Sequence, residues 1–294
     1  MMRRSMLFLP GNSPNMLING NCLGSDAVIF DLEDAVSPAE KDAARILVRN
    51  TMTYMDFRGC EIIVRINSID TPYWKKDLDE ILPCKPSLIL LPKTGSAQDV
   101  TEADAYISEV EARLGYEALT VGLMPLIETA MGVENAFAIA SASKRVQALF
   151  LGAEDLTADL RCKRTKEGRE IEYARTRLVV AARAAGVEVY DTPFTDVNDD
   201  EGIWTDAALA KALGFSGKAS ISPRHVEVIN QVFSPSQADI DYAYEVLDAI
   251  ALAKAQGKGA ISLRGKMIDA PIVSRAEQTI AMAVALGLGR SDPA

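Results

Sequence analysis

Eight short apolar runs recur along this chain, separated by stretches several of which carry helix signals, and that alternation limits what it can fold into. The runs are Met6–Leu9, Ala27–Leu32, Ile62–Ile66, Leu88–Leu91, Val121–Ile127, Val146–Leu151, Val187–Tyr190 and Gly217–Ile221. Several are apolar at nearly every position, as parallel strands are when both faces are covered. Pro38–Met52 follows Ser37 and carries Glu40, the pattern of a capping box. Ala97–Leu114 has acidic residues early, while Glu170–Ala185 and Asp199–Leu213 run into Gly186 and Gly214, residues suited to ending a helix. Eight strand–helix alternations predict an α/β fold, a (β/α)8 TIM barrel. The alternative, a doubly wound open sheet, usually declares a GxGxxG turn after an early strand, and LFLPGNSP is not one. The eighth run, GKASI, is short and mixed.

After Pro223 the pattern changes to a helix over Pro235–Gln256, the segment GKGAISLRGKMIDAP, and a helix over Ser274–Leu288. The expected division is a barrel over residues 1–230 and a C-terminal helical extension over 231–294 that packs on a neighbouring subunit. With 294 residues and 48% hydrophobic content, the chain can bury a large core. Its 31 basic and 41 acidic residues, net charge −10, argue against nucleic acid or an anionic membrane as a partner. The apolar stretch after the basic N-terminus ends at Pro10-Gly11, too soon for a secretory leader, and no stretch has the length of a membrane span. A cytoplasmic location is expected.

Cys22, Cys60, Cys84 and Cys162 are spaced like neither a zinc site nor a redox pair, and His225 is the single histidine. Histidine-based metal centres and Ser-His-Asp catalysis would all fall on that one residue. Chemistry is therefore sought among carboxylates, arginine and lysine, at the C-terminal strand ends where barrels carry their sites. Those ends are polar: DLEDAV (Asp31, Glu33, Asp34), VRIN (Arg65, Asn67), LPK (Lys93), PLIET (Glu128, Thr129) and LGAEDL (Glu154, Asp155). Glu128 and Asp155, from neighbouring strands, would repel each other over the barrel axis, and a divalent cation would remove that cost. With oxygen ligands alone, Mg²⁺ suits better than zinc. Helix-start carboxylates are the plain alternative for both. Arg65, ending an apolar strand, needs an anion, either a structural acid or a substrate carboxylate held bidentately. Lys93 could meet an anionic substituent or solvent, and the backbone of LFLPGNSP an anion or nothing. Asp269 in LRGKMIDAPI reads first as the cap of the helix after Pro271. The charge run Lys163–Arg175 is a solvated loop and first helical turn, or a binding loop.

The stretches LFLPGNSP, DAVIFDLEDAVSPAEKDAAR, VRIN, LILLPK, IETAMGVENA, LGAEDLTADL, YARTRLVVAARAAG, DTPFTDVNDDEG, GFSGKASISPRH and SLRGKMIDAPIV, in this order from residue 5 to about 273, resemble the citrate lyase β subunit and wider acyl-CoA aldol lyase family, which includes citramalyl-CoA and malyl-CoA lyases. Where many of its members carry IHP, this chain has Ile221-Ser222-Pro223. The resemblance implies a Mg²⁺-dependent barrel enzyme, a homotrimer or hexamer, that cleaves citryl-CoA or a citryl group on an acyl carrier protein into an acetyl thioester and oxaloacetate. Citramalyl-CoA or malyl-CoA cleavage, or malyl-CoA hydrolysis at the same site, are the neighbouring activities. It also implies partnership with citrate lyase α and γ subunits. By motif, Glu128 and Asp155 are the metal ligands and Arg65 the oxo-acid clamp. Glu154 stands beside them among the substrate-binding groups, Asp34 is a catalytic acid near the metal, and Asp269 closes over a neighbouring subunit's site as proton donor.

Overall fold

A computed structural model describes residues 2–57, 59–255 and 261–290. They form two compact units, one over residues 3–233 and one from Ser234 onward. The first unit is a closed barrel of eight parallel strands in sequence order: β1 Ser5–Pro10, β2 Ala27–Asp31, β3 Glu61–Arg65, β4 Leu88–Leu91, β5 Gly122–Ile127, β6 Ala148–Leu151, β7 Glu188–Asp191 and β8 Gly217–Ser220. Each expected strand is present within a few residues of its expected ends. Around them run α1 Pro14–Asn19, α2 Lys41–Tyr54, α3 Trp74–Ile81, α4 Ala97–Arg113, α5 Ala130–Glu134, α6 Ala136–Ala140, α7 Ala153–Asp159, α8 Glu172–Ala185, α9 Asp200–Leu213 and α10 Val226–Phe233.

Successive side chains on a strand point to opposite faces, so each strand feeds two cores. Met6, Ala27, Ile29, Ile63, Leu88, Leu90, Met124, Leu126, Phe150 and Tyr190 fill the barrel interior. The residues between them, such as Leu7, Val28, Val64, Ile89 and Leu149, pack outward against the helices. The interior floor is polar but paired: Arg3 donates to Glu61 (2.9 Å) and reaches the Tyr190 hydroxyl.

The eighth strand lacks an apolar pattern because Gly217 and Lys218 each answer a tertiary demand. A side chain at Gly217 would sit 1.9 Å from the carbonyl oxygen of Arg3, where β8 closes on β1. Lys218, fully buried, donates to Asp191 and to the Thr192 carbonyl (2.6 Å each) and pairs with Asp206. Arg175 on α8 joins the same two carboxylates. Two cations and two anions thus cancel out of water, an arrangement that costs about 3–5 kcal/mol if one member is removed. Arg175 therefore leaves the charge run of 163–175 as a core residue, while Arg164 and Thr165 bond Glu170 at its edge.

Several local expectations are corrected. The Ser37 hydroxyl meets the Glu40 side chain rather than a backbone N–H, and Pro38–Glu40 is a 3-10 turn, so α2 starts at Lys41. The reciprocal capping box lies at Ser96 and Asp99 instead. α3 and α10, each only eight residues long and ending two residues before Pro83 and Pro235, are not among the expected helices. In the second unit, α11 spans Gln237–Ala255, and SLRGKMI forms a hairpin, β9 Ile261–Leu263 and β10 Lys266–Ile268. The final helix, α12, begins at Ala270, four residues earlier than expected, because Asp269 caps it by accepting from the Ile272 N–H (3.2 Å). Gln256–Ala260 and Ser291–Ala294 lie outside the described residues. Ala243, Val246, Ile268 and Ala276 form this unit's core. No described helix is long and apolar enough to cross a membrane.

His225 is fully buried beside Phe194, and among the described residues neither ring nitrogen has a hydrogen-bond partner. Burial pushes its pKa down; Arg224 and Lys218 act the same way, against Asp200 and Asp196. The unfolded chain therefore binds the proton first, and the fold loses stability as pH falls through about 6.5. Urea unfolding of the wild type should lose up to about 1.4 kcal/mol per pH unit more than His225→Leu between pH 6.5 and 5.5. Parallel pH curves for the two proteins would contradict this.

Candidate active site

The alternation that fills the barrel continues one layer higher, and there it turns polar. Asp31 follows Ala27 and Ile29 in register, Arg65 follows Ile63, and Glu128 follows Met124 and Leu126. All three lie at C-terminal strand ends above an apolar interior. Asp31 accepts from Arg65 Nε (2.8 Å) and Nη2 (2.6 Å), the planar fork-to-carboxylate fit. The guanidinium lies 5.1 Å over the Phe8 ring and 2.9 Å from Glu33. Burial opposes its charge, but Asp31 and Glu33 hold the pKa above the ordinary arginine value. Arg65 thus has the structural partner foreseen as one of its two options, and Asp31 uses two of its five N–H groups. In the sequence Asp31 stands out only as part of a polar strand end, and its period-two spacing from Ile29 is the signal that points it inward.

Glu128 is 4% exposed. One oxygen accepts the Lys93 backbone N–H (2.6 Å), and the other lies where a side chain at Gly152 would come within 2.6 Å. Burial first, then the Glu33 and Asp155 carboxylates, pushes the Glu128 pKa up to about 8. Glu33 is equally buried and also shifted upward by burial, with Arg65 and Lys93 opposing. Asp155 sits in the first turn of α7, where the helix dipole favours an acid. The start of that helix is held from the next strand end, since the Thr192 hydroxyl accepts the Ala153 N–H (3.1 Å).

Lys93 ties these acids together. Its ammonium is 2.9 Å from Glu33, 3.6 Å from Asp34 and 3.7 Å from Asp155. Burial works against its charge, yet Glu33 above all keeps its pKa raised. Its φ is +52°, in the left-handed region that a non-glycine residue adopts at a cost. Loops around the site are fastened from behind. Lys41, buried on α2, donates to the carbonyls of Leu32 (2.8 Å) and Glu33 (2.6 Å). Asp77 accepts from the Asn67 backbone and side chain, and Arg45 in turn holds Asp77.

The structure therefore brings Arg65, Asp34, Glu128 and Asp155 into one charged cluster, with Asp31, Glu33 and Lys93 as its inner members. Glu154 is exposed and leans toward Arg164 (3.7 Å). Asp269 belongs to the second unit, where it is exposed and caps α12. The Pro-Gly turn after β1 is committed to the fold: the Gly11 N–H donates to the Asp31 carbonyl and that of Ser13 to Pro10. Among the described residues no three His, Cys, Asp or Glu side chains form a ready-made metal cage. Glu128 and Asp155 nonetheless suit a hard divalent ion that keeps several waters, because such an ion relieves both the burial cost and the repulsion from neighbouring carboxylates that raise Glu128.

Gly152→Ala should lower stability by about 1–3 kcal/mol through overpacking against Glu128. In a double-mutant cycle with Glu128→Ala the two losses should be less than additive. Additive urea midpoints would show that the glycine does not make room for Glu128.

Residues 4–223 match the HpcH/HpaI aldolase/citrate lyase family. The chain is 42% identical to citrate lyase subunit beta of Leuconostoc mesenteroides subsp. cremoris, covering 96% of this chain and 93% of that relative. It is 33% identical to L-malyl-CoA/beta-methylmalyl-CoA lyase of Cereibacter sphaeroides, over 95% and 94% of the two chains. Among solved structures it resembles protein CitE of Mycobacterium tuberculosis in complex with magnesium, acetoacetate and coenzyme A, with TM-score 0.77, 30% identity, and coverage of 96% and 98%.

Proposed function

The chain belongs to the HpcH/HpaI aldolase/citrate lyase family and is an acyl-CoA aldol-type lyase, and we propose that the bond it cleaves is the carbon–carbon bond of a citryl thioester, releasing an acetyl thioester and oxaloacetate. The carrier is CoA or an acyl carrier protein. One observation carries the site reading: a buried Glu128, its pKa pushed up to about 8, faces a half-exposed Asp155 beside an arginine at the barrel mouth. That pair is where Mg²⁺, which accompanies acetoacetate and coenzyme A in the Mycobacterium tuberculosis relative, would be held. When bound there, the ion would polarise the oxygens of the oxo acid.

The residues of the chain divide the remaining work. Arg65, already oriented by Asp31, presents its remaining N–H groups to the carboxylate of the oxo-acid half. Its fixed charge stabilises the oxygen that becomes the ketone as the bond breaks. A carboxylate of the Glu33–Asp34 pair accepts the hydroxyl proton, and the electron pair of the broken bond leaves on the acetyl thioester as an enolate. Asp269 of an adjacent subunit returns a proton to that enolate carbon. This role requires the C-terminal extension, residues 231–294, to pack on a neighbour in a homotrimer or hexamer in the cytoplasm. Glu154, at the edge, contributes to substrate binding. The subunit beta relatives support assembly with α and γ subunits. The malyl-CoA lyase relative supports a second reading, cleavage of malyl-CoA or citramalyl-CoA.

A panel of citryl-CoA, citramalyl-CoA and malyl-CoA, each with and without Mg²⁺, tests this by following acetyl-CoA and the oxo acid. Citryl-CoA should be the best substrate, giving oxaloacetate only when Mg²⁺ is present. Intact malate released from malyl-CoA would instead identify a hydrolase. Arg65→Lys should lose about 10- to 100-fold in kcat/KM, the cost of one charged hydrogen bond. Asp269→Asn should lower kcat with KM nearly unchanged; normal kcat would remove Asp269 from the mechanism.

A further inference from the structure

Five carboxylates, Asp31, Glu33, Asp34, Glu128 and Asp155, share the barrel mouth with two cations, Arg65 and Lys93. The two cations are held differently. Arg65 is locked into Asp31 by two hydrogen bonds and is 13% exposed. The Lys93 side chain is 39% exposed, makes one close contact, to Glu33, and stands at longer range from Asp34 and Asp155. Its backbone, in contrast, is held in the left-handed conformation with its N–H on Glu128. An anchored backbone with a flexible four-carbon stem is the arrangement of a charge that can move while its base stays in place.

We propose that the Lys93 ammonium is the resident counterion of the cation pocket, holding the acids together until a divalent cation displaces it toward solvent. This rests on the reading of Glu128 and Asp155 as metal ligands. The same residue touches one of those ligands through its N–H and lies 3.7 Å from the other through its ammonium. A divalent cation between the two acids would therefore arrive within a few ångströms of the ammonium, and like charges at that distance repel. The ammonium has an exit, whereas the guanidinium of Arg65 does not. Lys93 is in this account a positioning residue that sets how tightly and how selectively the pocket takes its cation.

The sign of one measurement separates this role from a merely structural one. A lysine that only braced the acids would weaken cation binding when removed; a competitor would strengthen it. The probe is Mn²⁺, with the free ion followed by electron paramagnetic resonance in titrations of the full-length wild type, Lys93→Met, Lys93→Gln, Lys93→Arg and Glu128→Gln. Lys93→Met and Lys93→Gln should bind Mn²⁺ at least fivefold more tightly than the wild type, and Lys93→Arg should bind no more tightly. In thermal unfolding, both neutral variants should have a lower midpoint without metal and a larger rise on adding Mn²⁺. Unchanged or weaker binding in both neutral variants, with Glu128→Gln weakened, overturns the counterion role and leaves the metal site standing. Undiminished binding by Glu128→Gln overturns the metal assignment and this inference with it.

Discussion

The site depends on the two-residue period of a strand inside a closed parallel barrel. Because the strands close on themselves, every second side chain must point inward, and for most of the barrel's height these are Ile, Leu, Met and Phe. At the upper ends the same geometry projects Asp31, Arg65 and Glu128 toward a common axis with limited access to water. Charges placed there cannot be left to hydration. Asp31 and Arg65 neutralise each other, Glu33 is shared between Arg65 and Lys93, and Glu128 has a backbone N–H and, among the described residues, no ion pair, with Arg65 acting on it only at longer range. Five acids share two cations at this mouth, and that shortage of positive charge is the chemical character of the site. It gives a reason for a hard cation there that owes nothing to a preformed cage.

Around that centre, buried charges from the helices secure the loops that carry it. Lys41 holds the carbonyls before Asp34, Asp77 holds the loop after Arg65, and Thr192 holds the start of the helix bearing Asp155. Arg3, Lys41, Arg45, Arg145, Arg175 and Lys218 are all nearly inaccessible to solvent and paired with acids or carbonyls. The acids buried with them, Asp31, Glu33, Glu61, Asp77, Glu111, Glu128, Asp191 and Asp206, are at least as numerous, so burial does not make the surface more acidic than the net charge of −10 implies. Overall charge therefore bears on what the surface avoids, while the site follows from a local imbalance that composition averages away.

The barrel could be read from the chain because buried parallel strands write themselves as continuous apolar runs, and eight of them leave few alternatives. Arg65, Asp34, Glu128 and Asp155 could be singled out because each interrupts or follows such a run with an ionisable group, and the motifs LEDA, VRIN, IETA and AEDL tie them to a family. The missed elements had weaker local signals. α3 and α10 are only eight residues long, two turns in which a helical period is hard to distinguish, and the SLRGKMI hairpin is too short and polar for a periodicity to emerge. The Ser37–Glu40 box failed because the hydroxyl bonded the carboxylate itself, a choice between two acceptable partners that residue types do not dictate.

The order of residues alone determined the strand count, the parallel sense, the family and the set of ionisable strand ends, since all of these depend on patterns within a few neighbouring positions. Tertiary structure alone decided which charges meet. The pairing of Asp31 with Arg65, the bridge of Lys93 across three acids, the room Gly152 leaves for Glu128 and the path of Lys218 into Asp191 and Asp206 each join distant parts of the chain. Charge compensation in a barrel is a property of closure: the partner of each ion is whatever the neighbouring strand or helix brings alongside, and no local pattern records it.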